Sequence, residues 1–392
     1  MNNIIDYIDW RGDLNFEASP FNELDGLIFA EFCFLDLLDI VPTEFTQSGV
    51  TVSWAVRRFF EIHPESERLG YIIPEQIKVI AKRMAESARF SGLRLSGFVN
   101  RTDREELRQF CALSIMLPDG TVFIAFRGTD DTIVGWREDF NMVFTSPIPS
   151  QVLAKEYVER IAAQSNGELI IGGHSKGGNL SLYASAGVSE DIQRRIRGIY
   201  NYDGPGLGSE IILSEGYRRI KDRITGIIPQ ASIVGMLFEH DGVYRIVKSR
   251  AVGLLQHDGF SWEVSGKRFV TLDSMSRDSL IVNKTVKAII SQMNEEEKRQ
   301  LGEAMFSIFE SSGSTSLTEL SKNRNALIKA VLNVPPEHRE VFLKTFAKIV
   351  TEGSQAIRST PKATHRPKKA SVAGEKITRK NASARGIPDR KQ

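Results

Sequence analysis

The residues best suited to chemistry lie between Glu168 and Ala184, where Gly173-His174-Ser175-Lys176-Gly177 has the Gly-x-Ser-x-Gly spacing. That spacing serves a nucleophilic serine: a sharp strand-to-helix turn holds the serine in strained backbone geometry, and the glycines let strand and helix approach. The hydroxyl is then presented above the sheet edge. The next backbone N–H, that of Lys176, points into the space where a tetrahedral oxyanion would form. The bare pattern is weak evidence, but here a strand-like run ends just before it and a helical run begins just after the serine, as the motif requires. The competing reading is a glycine-rich turn that only packs, or that holds phosphate at a helix N-terminus. No Walker-type Gly-Lys-Ser/Thr and no Gly-x-Gly-x-x-Gly follows a strand, which counts against nucleotide binding.

A serine of this kind needs a base and an acid, which follow it in the order acid, then histidine. Of six histidines, His63 and His174 precede Ser175, His338 falls in a helical stretch and His365 in the basic tail, which leaves His240 and His257. His257 lies in a loop between an apolar and a strand-like run and is preferred; His240 reads equally well as a turn residue before the strand Val243 to Val247. Asp203 is the first candidate acid because it directly follows the strand Ile199 to Tyr202, at the carboxyl end where sites in open α/β sheets form. Its role would be to orient the imidazole and stabilise the imidazolium. Glu239 and Asp241 rank next and Asp258 last, since neighbours in sequence seldom hydrogen-bond as a triad needs. A second oxyanion donor is expected from the loop after an earlier strand, and Thr129, after Thr121 to Phe126, is the candidate through its N–H and hydroxyl.

Strand and helix signals alternate around these residues. Cys111 to Leu117 and Thr121 to Phe126 are β-prone runs joined at Pro118-Asp119-Gly120, a hairpin signal. Gln151 to Ser165 has helical spacing, Glu168 to Gly172 is a buried-strand run, Gly177 to Gly187 is a helix, and Ile199 to Tyr202 is a strand. The pattern predicts an α/β protein with a mainly parallel sheet and helices on both faces. Residues 21 to 110 read as mainly helical. Helical spacing returns from about 282 to 355 and predicts a small module of three or four helices, so the domains expected are 1–275, 276–355 and a tail over 356–392.

The 392 residues, 41% hydrophobic and 26% charged, describe an ordinary globular chain able to bury a substantial core. Cys33 and Cys111 are too few for a disulfide framework or a cysteine-rich zinc site, which points to a reducing, cytoplasmic setting. The acidic amino terminus is unlike an export signal, and Glu31, Asp36 and Asp39 interrupt the most apolar window, Gly26 to Val41. The net charge of +2 conceals an asymmetry: residues 356–392 carry eleven Lys/Arg against Glu375 and Asp389, net +9, so the rest carries −7. Without aromatic residues such a tail is expected to be disordered. It reads as a solubilising end, as a contact for an anionic membrane surface, or as a salt-sensitive contact for nucleic acid; the missing aromatics leave base stacking unsupported.

Phe126-Arg-Gly-Thr, then Trp136 and Asp139, then Gly-His-Ser-x-Gly-Gly-Asn-Leu, resembles the fungal-type class 3 lipases of the α/β-hydrolase superfamily. More closely, Asp9-Trp-Arg-Gly-Asp-Leu, Ser19-Pro-Phe-Asn-Glu, Gly135-Trp-Arg-Glu-Asp-Phe-Asn and Gln256-His-Asp resemble an uncharacterised domain family of Gram-positive bacteria similar to those lipases. The similarity covers roughly residues 3 to 265. It implies an α/β-hydrolase fold, Ser175 as nucleophile, His257 as base and Thr129 with Lys176 as oxyanion donors, with Trp136 and Asp139 as scaffold behind the oxyanion loop. One departure stands out. Class 3 lipases take their acid from an Asp-Ile-Val-Pro stretch, and Ser232-Ile-Val-Gly has serine there; pancreatic-type lipases resemble this chain in taking it after the preceding strand, where Asp203 stands. The expectation is a cofactor-free serine carboxyl-ester hydrolase acting on an ester or lipid. An inactive hydrolase-fold scaffold, or thioesterase or peptidase chemistry with the same triad, is the alternative; oligomeric state is not legible.

Overall fold

The structure is a computed structural model, which describes residues 2–319 except 143, 144, 243, 312, 313 and 317. The later part of the expected helical module, 320–355, and the tail lie outside the described residues. All described residues belong to one compact unit. The strands are β1 (Val50–Thr51), β2 (Arg94–Asp103), β3 (Arg108–Met116), β4 (Val122–Phe126), β5 (Leu169–His174), β6 (Ile196–Tyr202), β7 (Ile224–Pro229), β8 (Arg245–Val247), β9 (Val264–Ser265), β10 (Arg268–Phe269) and β11 (Thr271–Leu272). The helices are α1 (Ile4–Arg11), α2 (Glu23–Phe32), α3 (Val52–Ile62), α4 (Gln76–Glu86), α5 (Ile133–Met142), α6 (Pro149–Gln164), α7 (Lys176–Gly187), α8 (Glu190–Arg195), α9 (Ser209–Ile212), α10 (Glu215–Ile220), α11 (Arg277–Ser291) and α12 (Glu295–Ser311).

Nine strands form one sheet in the order β1-β2-β3-β4-β5-β6-β7-β8-β11, and β9 and β10 form a separate hairpin. From β4 to β8 every pairing is parallel. The pairings on either side, β1 to β4 and β8 with β11, are antiparallel. The sheet is therefore mixed, with the expected parallel pairings from β4 to β8 and antiparallel ones toward both edges. The helical reading of residues 21 to 110 fails at the same place, because β2 and the start of β3 occupy 94–110. Gly97 (φ +68°) and a register shift between Ser96 and Val99 break the alternation of period two in β2, and its outer half, Asn100 to Asp103, is polar.

Side chains alternate across the central strands into two cores. Phe123 and Ala125 of β4 and Ile170 of β5 face a core shared with α1 to α4, whereas Val122, Ile124, Phe126, Leu169 and Ile171 face one shared with α6 and α7. Every residue of β4 and β5 is buried, so both faces are covered and the strands read as apolar runs. α11 is fastened to the turn after β7, with Ser279 Oγ donating to the Ser232 carbonyl and Asn283 Nδ2 to that of Met236 at 3.2 Å. Against α5, α12 sets Phe306 edge-on to Phe140. No helix among the described residues is long and apolar enough to cross a membrane.

The N-terminal helices are held by one buried ion pair. Asp25 belongs to the capping box that starts α2, accepting from the Asn22 N–H at 2.9 Å. It also receives Arg89 Nε at 2.8 Å on its other oxygen, with both side chains wholly inaccessible. Arg89 Nη2 donates to Asp25 Oδ2, and Nη1 reaches the carbonyls of Leu14 and Ser19, so one guanidinium gathers the segment between α1 and α2. Because every charge is met, the pair is tolerable in the core; removing one partner would leave the other charge stranded. Arg89→Leu is expected to cost about 3–5 kcal/mol of unfolding free energy, read as a lower urea midpoint. A shift within 1 kcal/mol, taken on the same scale, would mean that the pair holds nothing.

Candidate active site

β5 and β6 end side by side, with His174 opposite Tyr202. The chain then turns at Ser175, whose φ of +57° and ψ of −130° lie outside the ordinary basins. That conformation is disfavoured for a residue with a Cβ and persists only where its surroundings hold it. Two hydrogen bonds do so, from the Ser175 N–H to the Tyr202 carbonyl and from the Gly178 N–H to the Ser175 carbonyl, each 2.9 Å. The glycines make the turn possible: a Cβ on Gly177 would fall 2.0 Å from the Phe126 carbonyl oxygen, and one on Gly173 2.4 Å from the Gly177 carbonyl carbon. Ser175 is half-buried while its neighbours on both sides are buried.

Asp203 stands one residue past β6, at φ +49°, with its N–H on the Ile227 carbonyl of β7 at 2.8 Å. Its Oδ2 accepts from His257 Nδ1 at 2.7 Å. Its Oδ1 accepts from the Ser232 hydroxyl, and the Gly235 N–H also reaches the carboxylate. Burial pushes this carboxyl above its ordinary range, and those three donors work against the push. The structure thus joins Asp203 and His257. Ser232, the departure from the Asp-Ile-Val-Pro stretch, supplies a hydrogen bond to this carboxylate. Glu239, Asp241 and Asp258 do not take the place of Asp203 at His257 Nδ1. Asp241 is ion-paired to Lys221, Glu239 is exposed, and Asp258 accepts from the Phe260 N–H at 2.9 Å. His240 has its ring against Tyr244, and burial holds it down to about 4.

The loop after β4 lies against the elbow: a Cβ on Gly128 would sit 2.8 Å from the His174 carbonyl oxygen and 3.1 Å from Ser175 Cβ. Thr129, buried beside it, donates its hydroxyl to Asp139 Oδ2. Burial pushes the Asp139 carboxyl up. Lys176 contributes more than a backbone N–H. Its buried ammonium donates to the Gln109 carbonyl at 3.0 Å, to Gln109 Oε1 at 2.6 Å and to Glu138 Oε2 at 3.0 Å. Glu138 in turn accepts from the Ser150 N–H at 2.9 Å, at the start of α6. One paired charge therefore ties the elbow to β3, α5 and α6. Trp136, on α5, is 39% exposed.

Two further residues, neither given a role by the sequence, lie next to His257. His174 is buried, with Nε2 2.8 Å from the His257 carbonyl oxygen, and its ring stands 4.7 Å from that of His257. Glu31, from α2, brings Oε1 to 3.4 Å from His174 Nδ1. Burial holds the His174 ring down to about 3, and burial, with Asp258 nearby, pushes the Glu31 carboxyl well up. The only signal for Glu31 in the sequence was an acidic residue inside an apolar window. Among the described residues no group of three or more His, Cys, Asp or Glu could hold a metal ion.

A family model described as Mbeg1-like matches residues 84–307, more than half of the chain. No curated protein matches significantly. Three solved chains match, among them the crystal structure of M37 lipase, at 17% identity and a TM-score of 0.28. That alignment covers 41% of this chain and 63% of the other, so the chain spans less than two thirds of that lipase.

A neutral buried histidine predicts a pH dependence. Free histidine titrates near 6.5 whereas His174 stays uncharged until about 3, so between those values the unfolded chain binds more protons and native stability falls with pH. His174→Gln removes that site. The stability of the natural chain relative to the variant should fall between pH 6 and 4 by up to about 1.4 kcal/mol per pH unit, measured by urea denaturation at each pH. A difference that does not change with pH would mean that the ring is charged in the native state.

Proposed function

The chain belongs to the Mbeg1-like family, a lipase-like domain family, and from that premise we propose that it is a serine carboxyl-ester hydrolase with the α/β-hydrolase fold. The observation that carries the reading is the hydrogen bond of 2.7 Å between His257 Nδ1 and a buried Asp203, beside a serine held at φ +57°. In the proposed mechanism Ser175 Oγ attacks the ester carbonyl and His257 takes its proton. Asp203 holds the ring in the tautomer with hydrogen on Nδ1 and stabilises the imidazolium. The N–H groups of Thr129 and Lys176 receive the oxyanion, with the Thr129 hydroxyl oriented by Asp139. Collapse expels the alcohol, which takes the proton from His257, and water activated by the same base releases the acid. No step needs a metal.

The turn that leads to His257 supports an ester with an apolar acyl chain over a peptide. Val252, Leu254 and Leu255 are 67–76% exposed there, directly before the base. The turn's backbone is held from within: Gln256 Nε2 donates to the Ala251 carbonyl and Gln256 Oε1 accepts from the Ala231 N–H, both at 2.9 Å. Three aliphatic side chains are thus presented to water on the turn directly before His257, an arrangement that suits contact with acyl chains. The basic tail, with its net charge of +9, fits an anionic lipid surface as the place where such a substrate is met.

A fluorophosphonate probe should label the natural chain and not Ser175→Ala, and Asp203→Asn should lower kcat by about 10⁴-fold, the loss known for a triad acid. Equal labelling of both chains would sink the reading. The combined replacement of Val252, Leu254 and Leu255 by Ser should leave hydrolysis of acetate esters intact and lower kcat/KM on octanoate esters by about 10-fold or more, given roughly 1.5–3 kcal/mol per buried aliphatic side chain. Parallel losses on both esters would remove the turn from acyl recognition.

A further inference from the structure

The buried pair behind the base has no part in the mechanism above, yet its geometry is specific. Nε2 of His174 lies 2.8 Å from a carbonyl oxygen, and a carbonyl only accepts, so Nε2 carries a hydrogen. If the ring is neutral, Nδ1 is then a bare acceptor. The atom that faces it is Glu31 Oε1 at 3.4 Å, itself buried and without a hydrogen-bond partner. An ionised Glu31 would set a carboxylate against a lone pair, or draw a proton onto His174 and create an imidazolium 4.7 Å from the ring that must itself become positive during catalysis. A protonated Glu31 avoids both, since it sets a donor rather than a negative charge within 3.4 Å of the Nδ1 acceptor. The other groups around the pair fit this arrangement: Trp262 stands edge-on to the His174 ring and donates Nε1–H to the Gln256 carbonyl at 2.8 Å, and Asp258 disfavours a second negative charge on Glu31.

We propose that His174 and Glu31 are positioning residues for His257: His174 braces the main chain and ring of the base through Nε2–H, and the neutral carboxyl of Glu31 keeps His174 in the uncharged form that donates only there. The inference rests on the reading of Ser175 and His257 as nucleophile and base. It assigns a function to the histidine of the Gly-His-Ser sequence and to the acidic residue that interrupts α2. The two supports reach different atoms of His257, so the base is gripped at its ring nitrogen by the acid and at its carbonyl by His174. A ring held at one point only could swing about its Nδ1 hydrogen bond, and displacement of a reacting group by about 1 Å can cost 10²-fold in rate.

Two measurements on the full chain test this. First, the rate of acylation by a fluorophosphonate probe should fall by about 10- to 100-fold in His174→Phe, which keeps the bulk and loses the donor, and in Glu31→Ala. It should stay within about 3-fold in Glu31→Gln and His174→Gln, whose amides can still donate, a margin of less than 1 kcal/mol. In ester hydrolysis the loss should fall on kcat with KM unchanged. Second, in ¹⁵N-histidine NMR the signal missing from His174→Gln should report a neutral ring protonated at Nε2 throughout pH 5 to 8. Acylation of folded His174→Phe and Glu31→Ala at the natural rate would overturn the inference, as would a His174 signal that titrates within that range. Should the natural chain not be labelled at Ser175 at all, the reading of the site fails, and the NMR measurement alone decides whether the neutral Nε2–H form exists.

Discussion

The arrangement depends on one strained residue. Ser175 occupies a conformation that costs on the order of 1–3 kcal/mol, and nearly everything described around it opposes its relaxation. β5 enters the turn paired on both sides, to β4 and β6, so the strand end cannot slide. α7 leaves it packed so closely on β4 that Gly177 has no room for a side chain. The Lys176 ammonium anchors the first turn of α7 to Gln109 and Glu138, on elements distant in sequence. A serine on a flexible loop would need no such restraint, but its Cβ would also have no fixed place at the ends of β5 and β6.

Burial of charge follows the same logic throughout. The Arg89–Asp25 and Lys176–Glu138 pairs are wholly enclosed, and each partner carries further hydrogen bonds, so neither charge is stranded. Such pairs add little net stability compared with apolar residues, but they fix geometry, because a buried ion leaves its partner only at a cost of several kcal/mol. Asp203 is the contrasting case. Its buried carboxylate is met by hydrogen bonds from His257, the Ser232 hydroxyl and the Gly235 N–H. Glu31, with neither a cation nor a cluster of donors, is driven toward the neutral form.

The elbow was legible in the sequence because its spacing and its flanking periodicity agree: an apolar run, two glycines, then helical spacing. Asp203 and His257 were legible by order and by position at strand ends, and the structure brings those two together; their catalytic roles remain a proposal. Of the antiparallel pairings, the β3–β4 hairpin was legible at Pro118-Asp119-Gly120, whereas β2 was not. Gly97 and the shift after Ser96 disrupt the period in β2, and pairing with β3 compensates for what local propensity lacks. Nor was the second use of Lys176, whose cage is built from Gln109 and Glu138, 67 and 38 residues away in sequence. Pairings at that range leave no periodic trace. Glu31 shows the limit from the other side: an acidic residue in an apolar window signals burial without naming what it meets.

The position of the proposed acid illustrates how much freedom the fold allows. β6 and β7 are parallel neighbours, and strands in a sheet lie about 4.8 Å apart. A carboxylate after either one can therefore reach the same imidazole nitrogen. In this chain the residue after β6 is the aspartate and the residue three past the end of β7 is Ser232, whose hydroxyl meets Asp203 Oδ1. Serine at the β7 position leaves the negative charge near its expected place in space while moving it one strand along in topology. What is constrained is the point at which a carboxylate oxygen meets His257 Nδ1, and two backbone routes lead to it. A departure at one position of a motif thus counts against activity only when no neighbouring strand end supplies the missing group.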